Sequence, residues 1–339
     1  MRDFDFIQKY NRVLIELSSL IKKTNKHAVL IIQQRPNEQD VDPIVPMVRE
    51  SLSNIIAFVC IAQSDIIEYV VREAKGIVDT IILDNVIKRS NSDSIIKALY
   101  VHAAQYEIPV LTYNDFDSWA TSAVNLIKAN DCSSLTGKDV LVVGKNYLAT
   151  RMILQLIDCN ANIYLLESDY ETMDVPYINT TNLSIHSPNV KYVDTKRNFD
   201  ILLGCCLHSQ CDKLDMLCVF DFDAIYDVGV SNFDQQFIAT HKAKGCNTMF
   251  RSDDRAGIAS VVLNLMETNY LLQHCVGRKS LPGINMVAGG LIGYYGDVVV
   301  DSIENPRQVL GVANGDGTFK QDLTEKDKNN IEKVKTILS

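Results

Sequence analysis

The stretch Leu135–Asp169, LTGKDVLVVGKNYLATRMILQLIDCNANIYLLESD, decides how the rest of the chain is read. Val140 to Val143 form a short apolar run that reads as a strand ending on Gly144. Leu148, Met152, Ile153, Leu156 and Ile157 then recur at helical spacing, and Ile163 to Leu166 make a second strand that closes on Glu167. Strand, turn, helix, strand is the order of a unit that cradles a dinucleotide. Gly144 lets the backbone turn sharply and come close to a pyrophosphate, whose charge meets the N–H groups and positive dipole end of the following helix. Ala149 is small enough for that helix to approach the strand. Glu167, about twenty residues on, is placed to accept hydrogen bonds from the ribose hydroxyls and to repel a 2′-phosphate, so NAD is favoured over NADP. Of the usual G-x-G-x-x-G only Gly144 and Ala149 remain, and the alternative is an ordinary βαβ unit that binds nothing. If the pyrophosphate packs on Gly144, Gly144→Val is expected to block binding while changing stability less.

The pattern continues downstream. Lys191 to Val193 can form a third strand, Phe199 to Cys206 a buried fourth, Leu217 to Val230 a fifth that ends in Asp227-Val228-Gly229, and Cys246 to Phe250 a sixth. A long amphipathic helix follows from about Arg255 to Cys275. Strands that are nearly continuous in apolar residues, each followed by a turn or helix, indicate a parallel sheet covered on both faces.

This arrangement resembles the NAD(P)-binding half of methylenetetrahydrofolate dehydrogenase/cyclohydrolase and its relatives among amino-acid-dehydrogenase-like Rossmann proteins. The places of that family's lead-in, turn, later strands and last loop are held by Leu135-Thr136-Gly137-Lys138, Gly144-Lys145-Asn146, Asp200-Ile201-Leu202, Tyr226-Asp227-Val228-Gly229 and Arg255 to Ser260, within residues 110 to 275. The resemblance implies a Rossmann-type doubly wound sheet with a nicotinamide cofactor held by Gly144, Lys145, Asn146, Ala149, Glu167, Asp227 and Gly229. The folate enzymes' Tyr-x-x-x-Lys pair and Gln-x-Pro-Leu-Pro segment are absent: Tyr69 and Lys75 are six apart and would face different sides of a helix. In outline the chain is also similar to the pyrrolysine-forming dehydrogenases, with a small N-terminal α/β lobe on the same type of domain and an extra C-terminal segment.

Residues 1 to 110 alternate in the same way. A helix from about Phe4 to Lys23 leads to a strand, Ala28 to Ile32; a helix from Pro43 to Leu52 is followed by a strand, Ile55 to Ile61. A helix around Asp65 to Glu73, a strand at Thr80 to Leu83, a helix from Ser92 to Tyr106 and a strand at Val110 to Thr112 complete a small parallel sheet, and Asp117 to Ala129 bridges onward as a helix. We expect an α/β protein of two lobes plus a C-terminal β-hairpin and helix: a substrate domain over 1–130, the dinucleotide-binding domain over 131–280, and a hairpin-and-helix segment over 281–339. In that last segment the alternating runs Asp297 to Ile303 and Gln308 to Ala313 form the hairpin and Thr324 to Leu338 the helix. Its glycines at 289, 290, 293 and 296 serve either tight turns or a ligand, and the hairpin lies against the first lobe or against a second subunit of a homodimer.

A cleft between two such lobes is lined by the carboxyl ends of strands. Asp84, Asn85 and Lys88 after the third strand of the first lobe are the candidate catalytic group, able to polarise a substrate or move a proton while hydride is transferred. The alternative makes Asp84-Asn85 a helix cap and Lys88 a surface charge. Tyr113 and Asp115 after the next strand, and Arg255 at the last helix, are the candidate substrate-binding residues. Cys205, at the end of the fourth strand, is expected to line the pocket beside the nicotinamide. Cys205, Cys206, His208 and Cys211 hold the residue types of a zinc site, but adjacent cysteines at a strand end point to opposite faces, so no metal is expected. The six histidines are scattered without ligand spacing.

Composition sets the outer limits. With 339 residues, 47% hydrophobic and 22% charged, the chain has the material for two globular domains. A net charge of −9 argues against nucleic acid or an anionic membrane as partner, because both need an excess of Lys and Arg. No window holds the roughly eighteen apolar residues of a membrane span, acids stand at Asp3 and Asp5 where a secretory signal is apolar, and nine cysteines fit a reducing cytoplasm. These readings converge on an NAD-dependent oxidoreductase of a small amino-acid-like or imine substrate in a specialised biosynthetic route, the alternative being a Rossmann-type nucleotide-binding or regulatory module without turnover. NAD is expected to bind more tightly than NADP, and Glu167→Ser to narrow the gap. Calorimetric titration checks this, and a wild-type preference for NADP would contradict it.

Overall fold

His27–Gln34, apolar through all but its ends, forms β1 at the middle of a five-stranded sheet in the computed structural model. The structure describes residues 2–35, 42–46, 48–88, 90–130, 134–144, 146–165, 190–193, 198–207, 210–211, 214–251 and 255–338. Around β1 lie β2 (Arg49–Glu50), β3 (Asn54–Ile61), β4 (Thr80–Asp84) and β5 (Val110–Tyr113), in the order β2-β3-β1-β4-β5. All pairs are parallel except β2 with β3. Helices α1 (Arg2–Thr24), α2 (Ile67–Ala74) and α3 (Ser92–Gln105) complete the lobe, with Tyr10, Leu17, Val71 and Leu99 buried in the same core as Leu30, Val59 and Leu83. The helix expected from Pro43 to Leu52 is a correction: Ile44 bridges to Cys60, and Arg49–Glu50 pairs with Ile55 and Ile56. Pro46 has no N–H to give a helix at that point, so the segment runs along the sheet edge instead.

The second lobe begins with α4 (Asp115–Asn130) and β6 (Asp139–Val143), followed by α5 (Tyr147–Asp158), β7 (Asn162–Leu165), β8 (Val190–Tyr192) and β9 (Asn198–Gly204). Then come α6 (Leu214–Leu217), β10 (Asp221–Asp227), α7 (Gln235–Ala243), β11 (Thr248–Arg251) and α8 (Arg255–His274). The six strands are ordered β11-β10-β9-β6-β7-β8, and every neighbouring pair is parallel. Read from the β8 edge, that is the 3-2-1-4-5-6 order of the doubly wound Rossmann sheet. The expected α/β class and sheet type are therefore observed. Period-two alternation divides β6 between two cores: Val140 and Val142 pack under α4 and α5, while Leu141 and Val143 pack with Phe222, Ile225 and Phe237 on the other face.

The chain forms two compact units, Met1–Val261 and Val262–Ser339, so both parallel sheets belong to the first. Within the second, β12 (Gly277–Leu281), β13 (Ile284–Ala288), β14 (Val298–Val300) and β15 (Val309–Val312) form a four-stranded sheet in chain order. Helix α9 (Glu325–Leu338) contributes Val334 to its core with Met286, Val298 and Val300. The expected hairpin is β14–β15. A second hairpin, β12–β13, escaped the sequence reading although Pro282-Gly283 announces it: Leu281 pairs with Ile284, and Gly283 has φ +78°, the left-handed position of a type II turn. Among the described residues no helix is long and apolar enough to cross a membrane.

Gly144 has a structural duty that the sequence reading assigned to a ligand. Its φ is +136°, and a Cβ there would stand 2.7 Å from the Cys205 carbonyl carbon and 2.9 Å from its oxygen. Beside the expected block to binding, Gly144→Val carries a stability cost of its own, since the added side chain would force the ends of β6 and β9 apart. Gly144→Val should lower stability by about 2 kcal/mol or more, through left-handed strain and backbone overlap together. Gly245→Ala, at φ +99° with nothing within 4 Å of the new Cβ, should cost less. Urea unfolding of the two variants checks the order, and equal losses would contradict it.

Candidate functional site

In each parallel sheet of the first unit there is one place where the winding reverses. In the first it lies between β1 and β4, and in the second between β6 and β9. Ligands of open α/β sheets bind outside the carboxyl ends of strands at such points.

At the first switch point the chain places Gln33 and Gln34 of β1, Asp84 of β4, and Tyr113 and Asp115 at the β5–α4 junction. Lys88 reaches into this group. Its Nζ lies 2.7 Å from Asp84 Oδ2 and 2.5 Å from Asp115 Oδ2, with the three side chains 3%, 0% and 10% exposed. Tyr113 donates its hydroxyl to Asp115 Oδ1 at 3.0 Å, and Gln33 Nε2 donates to the same oxygen at 3.1 Å. The backbone N–H of Val86 donates to Asp84 Oδ1 at 3.1 Å, and Gln34 Nε2 to the carbonyls of Asp84 and Val86 at 3.0 and 3.1 Å. Four of the residues named from sequence, Asp84, Lys88, Tyr113 and Asp115, thus form one buried network. Lys88 is not a surface charge. Asn85 does not join, because its side chain points to solvent.

Electrostatics follow from enclosure. Burial raises the Asp84 carboxyl above its usual range; Lys88 opposes the rise and Asp115 adds to it. Burial alone would lower the Lys88 ammonium, but the two adjoining carboxylates outweigh it and hold the amine protonated above its ordinary value. Tyr113 is raised well above an ordinary phenol by burial and by the same two carboxylates. At neutral pH the cluster therefore contains a fixed ammonium and a proton-holding phenol beside carboxylates, which can accept hydrogen bonds or exchange a proton.

The second switch point adjoins the first through aromatic rings. Lys88 Nζ lies 5.1 Å from the centre of the Phe116 ring, which in turn packs 5.4 Å from that of Tyr147, the first residue of α5. Arg151 pairs with Asp117 at 3.0 Å and hydrogen-bonds Tyr147. Asn146 caps α5, its Oδ1 accepting from Ala149 N at 3.1 Å while its Nδ2 donates to the Cys205 carbonyl at 2.6 Å. Ala149 is wholly buried in the core that α5 shares with β6 and α4. Gly229 lies so near β9 that a Cβ would fall 1.9 Å from the Cys206 carbonyl oxygen. Asp227 caps the turn beyond it, accepting from Ser231 N at 2.9 Å. Burial raises its carboxyl, against the backbone donors that favour its charge.

Cys205 differs from expectation. Its side chain is wholly buried in the α4–α5 core and its thiol is raised well above the ordinary value by burial, so only its backbone borders the crevice. Lys145, Glu167 and His208 lie outside the described residues, as does the Arg255 side chain at the start of α8. Among the described residues no group of three or more His, Cys, Asp and Glu side chains could hold a metal ion. Sequence reasoning missed Gln33, Gln34, Phe116, Tyr147 and Asn232. The signal for the first two was available, since paired glutamines end an otherwise apolar strand.

No family model matches the chain, and no curated protein matches it in sequence. Among solved structures it is similar to L-tryptophan dehydrogenase from Nostoc punctiforme, at 12% identity and TM-score 0.40 over 72% of this chain and 74% of that one. The hetero-hexameric glutamate dehydrogenase from Thermus thermophilus is similar at 10% identity and TM-score 0.37, over 73% and 68% of the two chains. A chorismate mutase/shikimate 5-dehydrogenase fusion protein from Clostridium acetobutylicum is similar at 12% identity and TM-score 0.36, over 67% and 86%.

The network predicts its own pH signature. Lys88→Met leaves the buried carboxylates without their ammonium and should lower stability by about 3–5 kcal/mol near pH 7. Asp84, raised by burial and now freed of its opposing cation, binds a proton more tightly in the folded than in the unfolded chain. The variant therefore gains stability as pH falls through that raised pKa, and its deficit should shrink by about pH 5. Urea unfolding of wild type and Lys88→Met at both pH values checks this, and a deficit independent of pH would contradict it.

Proposed function

We propose that this chain is an NAD(P)-dependent oxidoreductase, with NAD preferred, that acts on a small amino-acid-like or imine substrate. One observation carries the reading: two switch points lie in one compact unit, the first holding an enclosed Lys–carboxylate network and the second a glycine turn at a helix N-terminus. The residues at the second fit a dinucleotide. The 3-2-1-4-5-6 sheet puts the start of α5 at the crevice, and Gly144 makes the tight turn into it. Asn146 occupies the N–H of Ala149, one of the four that a helix start leaves without intrahelical partners, so anion-binding capacity remains. A bound nicotinamide would supply the hydride acceptor or donor.

The chain's own residues would do the rest. Lys88 holds a proton and a positive charge at the end of β4, suited to polarising a carbonyl or imine. Asp84 and Asp115 keep that ammonium charged, and Asp115 is oriented in turn by Tyr113 and Gln33. Arg255, at the N-terminal end of α8, is a candidate two-pronged partner for a substrate carboxylate. The second reading, a nucleotide-binding module without turnover, is favoured by the tight enclosure of Lys88 and Asp84, which suits a structural clamp as well as a reactive group.

Binding of NAD to the purified protein, followed by a screen of amino acids and imines at the nicotinamide absorbance band, separates the readings. The enzyme reading expects NAD-dependent turnover, lowered roughly a hundredfold or more in folded Lys88→Ala or Asp84→Asn with NAD affinity near wild type. Arg255→Lys should mainly raise KM. NAD binding with no turnover supports the module reading, whereas full turnover in Lys88→Ala keeps the enzyme reading but removes Lys88 from its chemistry. Absence of NAD binding removes both.

A further inference from the structure

Cys206 and Cys211 meet just beyond β9, their sulfurs 3.2 Å apart. The juxtaposition is built by neighbours. Asn232, wholly buried, brackets the Cys206 peptide groups with its side chain: Oδ1 accepts from Cys206 N at 2.7 Å and Nδ2 donates to Cys206 O at 2.6 Å. The Asn232 carbonyl accepts from Cys211 N at 3.0 Å, so one residue fixes both cysteines. Asn232 is delivered by Val230 and Ser231, whose φ values of +68° and +67° are left-handed, a conformation that a β-branched residue seldom adopts. Strain of this kind persists only where the surroundings enforce it.

We propose that Cys206 and Cys211 form a modification site, a dithiol that a hydroperoxide oxidises to an intramolecular disulfide. Cys206 is half-buried and reachable, whereas Cys211 is almost wholly enclosed. The Cys206 thiolate attacks the outer peroxide oxygen. The O–O bond breaks, the leaving oxygen departs as water or an alcohol, and Cys206 becomes a sulfenic acid. The Cys211 sulfur then attacks the Cys206 sulfur, the S–O bond breaks, and water leaves with the Cys211 proton. Two thiols have lost two electrons and the peroxide has gained them. The sulfurs need to close by roughly 1 Å to reach disulfide bond length. The Cys211 thiol, raised by its hydrogen bond to Cys206 and by burial, suits the resolving role, because it stays protonated until the sulfenic acid forms. Cys205 faces the opposite core and takes no part.

The tryptic peptide Asn198–Lys213 contains Cys205, Cys206 and Cys211, which makes the test direct. After treatment of the native full chain with hydrogen peroxide, denaturation and alkylation, we expect this peptide to have lost two hydrogens, with Cys205 the one alkylated cysteine in it. Cys211→Ser should stop at a Cys206 sulfenic acid that dimedone traps, and Cys206→Ser should show neither product. Cys205→Ser should bridge at the wild-type rate, while Asn232→Ala, if folded by circular dichroism, should bridge on the order of tenfold more slowly or worse. A bridge that uses Cys205 or Cys218, oxidation without any bridge, or peroxide resistance of the wild-type peptide would each overturn the proposal. The wild-type map decides even if the variants fail to fold.

Discussion

An ammonium enclosed by protein is stable only when its charge is met at close range, and the contacts of Lys88 with Asp84 and Asp115 meet that requirement. Each carboxylate belongs to a different element. Asp84 ends β4 and Asp115 opens α4, so holding Lys88 between them fixes the start of α4 against the end of the first sheet. Removing Lys88 would leave two buried carboxylates without their shared cation, which is why the group acts as a unit.

From that anchored start, α4 organises the second lobe. Its next residue, Phe116, packs on Tyr147 at the start of α5, and Asp117 pairs with Arg151 one turn further along α5. Ala120, Ala123, Val124 and Ile127 share a core with α5 and with the inner face of β6. Further along, Ser122 accepts a hydrogen bond from the Gly257 N–H, and a Cβ at Gly257 would stand 2.5 Å from that of Ser122, so α8 approaches α4 through glycine. One helix thereby links the ionic network, the turn after Gly144 and the last helix of the Rossmann-type sheet.

Much of this was readable in residues. Continuous apolar strands between Leu135 and Phe250 told of a doubly wound sheet because parallel strands are buried on both faces and carry no polar alternation. Asp84, Lys88, Tyr113 and Asp115 were recognisable because polar side chains directly after apolar strands gather where strand ends converge. What sequence could not convey was depth. The separation of Lys88 from Asp84 suits a solvated helix pair as well as a sealed one, and only the enclosure beside Phe116 decides between them. That Cys205 and Cys206 face opposite ways was readable from their adjacency at a strand end, but how deeply each is enclosed was not, nor was Asn232, whose role depends on two strained residues that no periodicity reveals. The segment after Pro43 was misread because apolar spacing outweighed a proline in its interior, although the missing donor of Pro46 argued for an edge.

The proposal that the two switch points serve one ligand system is tested most directly by a crystal structure of the protein with NAD bound. It predicts the pyrophosphate at the N-terminus of α5 and the nicotinamide ring turned toward the first sheet, within hydrogen-bond reach of Lys88 through a small substrate or one water. A nicotinamide ring beyond about ten ångströms from both Lys88 and Asp84 in a closed form would contradict it, and would leave the buried network as a structural clamp.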